Sequence, residues 1–182
     1  MLSVLLVGLA GCKPHTETEA PAETPAKETA MAPDTAQKAK SSLPIIDVAP
    51  TWSLTDIEGK SVGSEALKGK VVVVDFWATW CAPCREEIPG YIEMQKKYGK
   101  DGLVIVGVSV DTGGPAKVVD FAKKFGVNYT LVMADNDMVQ AFGGLNAIPT
   151  TFLIDREGNI RDVKIGSMPT AVYEKTVLKL LN

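Results

Sequence analysis

The chain has 182 residues, of which 19 are Lys or Arg and 22 are Asp or Glu, for a formal net charge of −3. Mixed charges in that balance give no electrostatic basis for binding nucleic acid or an acidic lipid surface. With three cysteines and one histidine, only Cys12 and His15 remain to complete a zinc site around Cys81 and Cys84. Both sit near the N-terminus, outside the patterned region, so the ligand set for structural zinc is missing.

Residues 2–10 form an apolar stretch too brief to span a bilayer, ending in Leu9-Ala10-Gly11-Cys12. That ending resembles the lipobox of bacterial lipoproteins. The resemblance implies that 1–12 is a lipoprotein-type signal segment and that Cys12 becomes the lipidated first residue of the mature protein. By the same analogy, Lys13 favours the outer membrane of a Gram-negative cell. No positive charge precedes Leu2, so an uncleaved or cytosolic N-terminus is the alternative. From 13 to 42 the composition turns to Pro14, Pro21, Pro25 and Pro33 among Ala, Thr, Glu and Lys, with no aromatic residue. Such a segment cannot bury enough apolar surface to offset its ordering entropy, which predicts a disordered tether.

Residues 43–182 are enough for one domain with a real core. The spacing predicts an N-terminal hairpin from 52–54 and 60–62 around a turn at 56–59, then a short turn at 64–67. An apolar strand follows at 70–76. A helix over 82–98 puts Ile88, Tyr91, Ile92, Gln95 and Tyr98 at helical spacing, with Gly99 as its C-terminal cap and a kink at Pro89. Residues 103–110 are apolar on both alternating faces, as in a central parallel strand. Pro115 opens a helix whose Val118, Phe121, Ala122 and Phe125 share a face, closed by Gly126. Residues 129–133 read as a strand and 136–142 as a short helix. A hairpin joins 150–155 to 160–165, and Pro169 starts a last helix using Tyr173, Val177 and Leu181. Alternating strands and helices imply an α/β sheet with helices on both faces.

The chemistry is concentrated in Trp80-Cys81-Ala82-Pro83-Cys84, at the junction of the 70–76 strand and the next helix. Two thiols two residues apart can close a small disulfide or release it. A cysteine in the first turn of a helix faces unpaired N–H groups and the positive end of the helix dipole, both of which favour a thiolate. Cys81 is the expected nucleophile. Cys84, further in and more buried, would attack the mixed disulfide formed when Cys81 engages a partner. A purely structural disulfide is the competing reading, although so small a loop constrains little unfolded-chain entropy. Asp75 lies in an apolar strand, where an ionised carboxylate is costly and its pKa should rise.

Other motifs fail on inspection. Gly59-Lys60-Ser61 ends like a phosphate-binding loop, but position 54 is Leu where the first glycine is needed. In Asp135-Asn136-Asp137 a calcium loop would require glycine where Gln140 stands and glutamate where Asn146 stands, so a helix N-cap is the better explanation. The peroxiredoxin signature Pro-x-x-x-Thr-x-x-Cys is absent around both Cys81 and Cys84.

The segment Asp75-Phe76-Trp77-Ala78-Thr79-Trp80-Cys81-Ala82-Pro83-Cys84-Arg85-Glu86-Glu87-Ile88-Pro89, with Ile148-Pro149-Thr150-Thr151-Phe152-Leu153-Ile154-Asp155 downstream, resembles the thioredoxin superfamily. More closely, it is similar to the extracytoplasmic TlpA/ResA-like thiol-disulfide oxidoreductases. The resemblance implies a thioredoxin-like α/β fold: a central mixed β-sheet flanked by helices on both faces, with an N-terminal β-hairpin extension. It also implies that Pro149 is a cis-proline beside the active-site disulfide and that the Ile148 backbone pairs with an incoming substrate strand. Trp80, Ala82 and Pro83 would border the same substrate. Trp77 and Trp80 are expected first as packing residues, with Trp80 the one nearer substrate.

Glu87 matches the acid of the family's Cys-x-x-Cys-x-x-Glu-x-Pro pattern, which tunes the thiols; a solvated surface carboxylate is the alternative. Asp75 matches the aspartate that in thioredoxins helps deprotonate the second cysteine, where many TlpA/ResA-like proteins carry asparagine. Either acid could instead be a hydrogen-bonded structural group. The function implied is a monomeric, membrane-tethered enzyme that reduces protein disulfides outside the cytoplasm, for example in cytochrome c maturation. Its electrons would come from a membrane thiol transporter, with no cofactor beyond the Cys81–Cys84 pair. A disulfide donor and a non-catalytic binding module are the alternatives.

Overall fold

The computed structural model describes residues 43–182; the expected signal segment, tether and lipidation site Cys12 lie outside the described residues. In chain order come strands β1 (Asp47–Val48), β2 (Ser53–Thr55), β3 (Ser61–Gly63) and β4 (Val71–Trp77), then helix α1 (Ala82–Tyr98). They are followed by β5 (Leu103–Ser109), α2 (Ala116–Phe125), β6 (Thr130–Met133) and α3 (Asn136–Ala141), and finally by β7 (Thr150–Ile154), β8 (Asn159–Ile165) and α4 (Thr170–Leu181). Short 3-10 turns occupy Ser64–Leu67 and Gly99–Asp101.

Six strands make one sheet in the order β1-β8-β7-β4-β5-β6. β4, β5 and β6 run parallel, whereas β7 is antiparallel to both of its neighbours, β4 and β8, so the sheet is mixed. β2 and β3 form a separate hairpin, tied to β6 by the bridge between Asp56 and Val132.

β4 is buried at every residue, and its two faces serve different layers. Val72, Val74 and Phe76 pack with Trp52, with Met138 of α3 and with Phe142. Val71 and Val73 pack under Tyr91 and Met94 of α1 and Tyr173, Val177 and Leu180 of α4. Trp77 continues that second face and meets Val118 and Phe121 of α2. Each such aliphatic side chain contributes roughly 1.5–3 kcal/mol by leaving water. Asp75 sits on the second face, between Val73 and Trp77, beneath the helices.

The predicted elements fall within a residue of those observed, except for β1. β1 was not anticipated, because two exposed residues carry no periodicity. Gly99 is the C-cap of α1, as expected, in a right-handed conformation, and the left-handed turn follows at Gly102 (φ +100°) after one 3-10 turn. α1 continues through Pro89, which lies on its exposed side.

Gly107 of β5 lies opposite Asp75, and the close approach it permits is specific. A Cβ there would come within 2.5 Å of Cδ2 of Leu131 and 3.0 Å of Nε1 of Trp77. Gly107→Ala is expected to cost about 1–3 kcal/mol by overpacking, read from the urea midpoint at unchanged slope. An unchanged midpoint would show that this layer is loose.

Candidate functional site

β4 ends at Trp77, and the chain turns through Ala78, Thr79 and Trp80 into α1. Cys81 is the N-cap of that helix, and Pro83 falls in its first turn, where a missing N–H costs nothing. The Cys81 Sγ accepts a hydrogen bond from the Cys84 backbone N–H at 3.3 Å. A thiolate at Cys81 would gain the same donor and the helix dipole, which supports it as the nucleophile. Cys81 and Cys84 form a disulfide with a Cα–Cα distance of 5.3 Å. The thiol pair is therefore placed as anticipated, but both residues are buried, at 5% and 2% exposure, so the expected contrast between them is small. Ala82 and Pro83 are exposed beside them.

Of the two tryptophans expected to pack, only Trp77 does so. Trp80 is 68% exposed, because the turn into α1 directs it away from the sheet. Phe125, assigned by its periodicity to the buried face of α2, is 37% exposed and stacks on Phe121, with the Arg85 guanidinium 5.6 Å from its ring. It sits in the last turn of α2.

The Ile148–Pro149 bond is cis, as the motif implied. Ile148 packs against the cluster that holds Cys81 and Cys84. Its amide and carbonyl are not engaged by other backbone groups among the described residues, whereas the Pro149 carbonyl accepts from Gly166 N–H at 2.8 Å. A free N–H and C=O beside a disulfide is the geometry an extended partner strand can pair with.

Both acids are buried. Thr151 Oγ1 donates to Asp75 at 2.8 Å, and Tyr91 completes the chain by donating to Thr151 at 3.3 Å. Burial pushes Asp75 up to about 7; the Thr151 hydrogen bond and the Lys164 charge oppose that rise, and the Glu87 charge adds to it. Burial likewise holds Tyr91 well above its usual range, so it remains a neutral donor. Glu87 is not a surface carboxylate: at 3% exposure it pairs with the equally buried Lys164 at 2.6 Å, and its Oε2 has no hydrogen-bond partner. Residue type and motif cannot show this, because only the packing of β8 and α4 over α1 encloses it.

Three residues of the site were missed from sequence. Thr151 and Lys164 stand abreast of Asp75 across β7 and β8, in the row Asp75, Thr151, Lys164. The irregular register between Leu153 and Ile154 hides this from a simple alternation of β8. Asp111, just past β5, accepts from Thr79 N–H at 2.8 Å, from Thr79 Oγ1 at 2.6 Å and from Ser109 Oγ at 2.8 Å. It braces the turn that leads into Cys81. A buried acid at the end of an apolar strand was the available signal.

The AhpC/TSA family model matches residues 45–163. Among curated proteins, thiol-disulfide oxidoreductase ResA of Geobacillus thermodenitrificans (strain NG80-2) is 36% identical over 130 residues, covering 71% of this chain and 74% of the relative. The protein of the same name from Bacillus subtilis (strain 168) is 38% identical over 123 residues, 66% of each chain. Among solved structures, a thiol:disulfide interchange protein of the thioredoxin family from Chlorobium tepidum TLS superposes with TM-score 0.70 at 36% identity, covering 75% of this chain and 97% of the other. StoA from Bacillus subtilis does so with TM-score 0.60 at 26% identity, over 71% and 98%. With a dithiol pair at the head of α1, a cis-proline beside it and relatives of this similarity, the chain belongs to the thioredoxin-like AhpC/TSA family and is a thiol-disulfide oxidoreductase.

Proposed function

We propose that this oxidoreductase works as a reductant of protein disulfides outside the cytoplasm, tethered to a membrane through a lipidated Cys12. The observation that carries the reading is the Cys81–Cys84 pair at the helix N-terminus, set against the free backbone of Ile148, with Asp75 and Glu87 buried on the elements that flank it. In the reducing direction, the Cys81 thiolate attacks one sulfur of a partner disulfide. A Cys81–partner bond forms, and the other partner sulfur leaves as a thiolate that takes a proton from water. Cys84 then gives its thiol proton to a buried carboxylate and attacks Cys81 Sγ. The partner's second sulfur leaves as a thiolate that takes up that proton, and the Cys81–Cys84 disulfide closes. Two electrons have moved to the partner, and a thiol donor must return them.

By likeness to its relatives, that donor is a membrane thiol transporter, and apocytochromes c awaiting haem are a fitting substrate class. The enzyme acts as a monomer with no cofactor beyond its own disulfide. The Ala82-Pro83 insert lacks the histidine of the strongly oxidising Cys-Pro-His-Cys enzymes, which favours the reducing direction.

The reduction potential tests the direction. Equilibration of the full chain in defined thiol buffers, with trapping of free thiols, is expected to give a value close to that of thioredoxin, about −270 mV. A value near −120 mV would make the enzyme a disulfide donor instead.

A further inference from the structure

Glu87 lies one turn beyond Cys84 on α1, at the i+3 position that shares its helix face. Its Oε1 accepts from Nζ of Lys164 at 2.6 Å and from the Met168 N–H at 2.9 Å. The same ammonium donates to the Gly166 carbonyl at 3.3 Å, and the Gly166 N–H donates to the Pro149 carbonyl at 2.8 Å. One buried cation thus connects the helix that carries Cys84 with the turn that holds the Ile148–Pro149 segment.

Packing alone does not account for these charges. Desolvating both partners offsets most of their attraction, and apolar residues of similar volume often serve stability as well or better. Lys164 also touches the chemistry electrostatically. The titratable groups on this interior are Asp75 of β4, Glu87 and Tyr91 of α1, Tyr173 of α4, Asp162 of β8, and Tyr129 ahead of β6. At Asp75 the lysine favours the ionised form and Glu87 opposes it, and the lysine is the stronger of the two.

The geometry points to Lys164 as a positioning residue for both halves of the site, orienting the Glu87 carboxylate beside Cys84 and holding the Pro149 segment where a partner strand docks. The inference rests on the reading in which Cys81 attacks and Cys84 resolves. Losing the lysine releases Gly166 and, through it, Pro149, which weakens partner binding. It also moves the Asp75 titration to higher pH, because the lysine outweighs the glutamate.

The test compares the full chain with Lys164→Met and with the double variant Glu87→Gln/Lys164→Met, using insulin as the disulfide probe. Folding is checked by circular dichroism. The double variant decides if the single one, left with an unpaired buried carboxylate, does not fold. The expected result is a KM for insulin raised about tenfold, the loss of roughly one good hydrogen-bonded contact. The inflection in the pH profile of kcat should also shift upward. A folded variant that keeps either quantity at its wild-type value overturns the inference. A wild type that does not turn insulin over would instead strike the underlying reading of Cys81 and Cys84.

Discussion

Cys84→Ser is expected to arrest the enzyme at a covalent Cys81–partner intermediate and to lower turnover by at least about a thousandfold. The serine hydroxyl cannot attack the mixed disulfide, while Cys81 keeps its place at the head of α1. The hydrogen bond that Cys81 Sγ receives comes from the backbone N–H of residue 84, so the substitution leaves it intact. Cys81→Ser should be as inactive and should trap nothing. The measurement is a non-reducing gel of the variant mixed with a disulfide substrate, read for a thiol-labile adduct. Equal trapping by both variants would reverse the assignment of attacking and resolving thiols.

Asp75→Asn is expected to stabilise the protein and slow it at once. Burial raises the folded-state pKa of Asp75 from 3.8 to about 7, so the folded state holds that proton more tightly than the unfolded chain. The stability this contributes is fully present below about pH 4 and is lost as pH rises through 7. Above that, the ionised carboxylate costs on the order of 4 kcal/mol, a ceiling that local relaxation lowers. Asparagine carries no charge and still offers Oδ1 to the Thr151 hydroxyl. Urea unfolding should therefore show a gain of about 2–4 kcal/mol at pH 8.5 that vanishes at pH 4. An equal gain at both pH values would remove charge burial as the cause.

The same change should slow resolution about a hundredfold or more at neutral pH, the usual worth of a positioned proton acceptor. An unchanged single-turnover rate would take the acid-base role away from Asp75 and leave it to Glu87. The two halves of the prediction belong together. A carboxylate held near 7 under an apolar layer is costly to the fold and suited to taking a thiol proton at physiological pH.

The element order, the strand–helix junction that carries Cys81 and Cys84, and the burial of Asp75 were legible in the residues, because each rests on local periodicity, end signals or residue type. The pairing of Ile148 with a cis Pro149 was legible only through the family motif. The rest came from long-range pairing and packing. Glu87 could have been a surface carboxylate until β8 brought Lys164 beneath it, and that meeting depends on pairing across 77 residues of chain with an irregular register in β8. Thr151 became the partner of Asp75 through antiparallel pairing, and Asp111 became the brace of Thr79 through parallel pairing of β4 with β5. Trp80 and Phe125 have the composition of core residues and came out exposed. Periodicity says which side of a helix or strand is apolar, but where the covering layer ends is set by how the other helices pack.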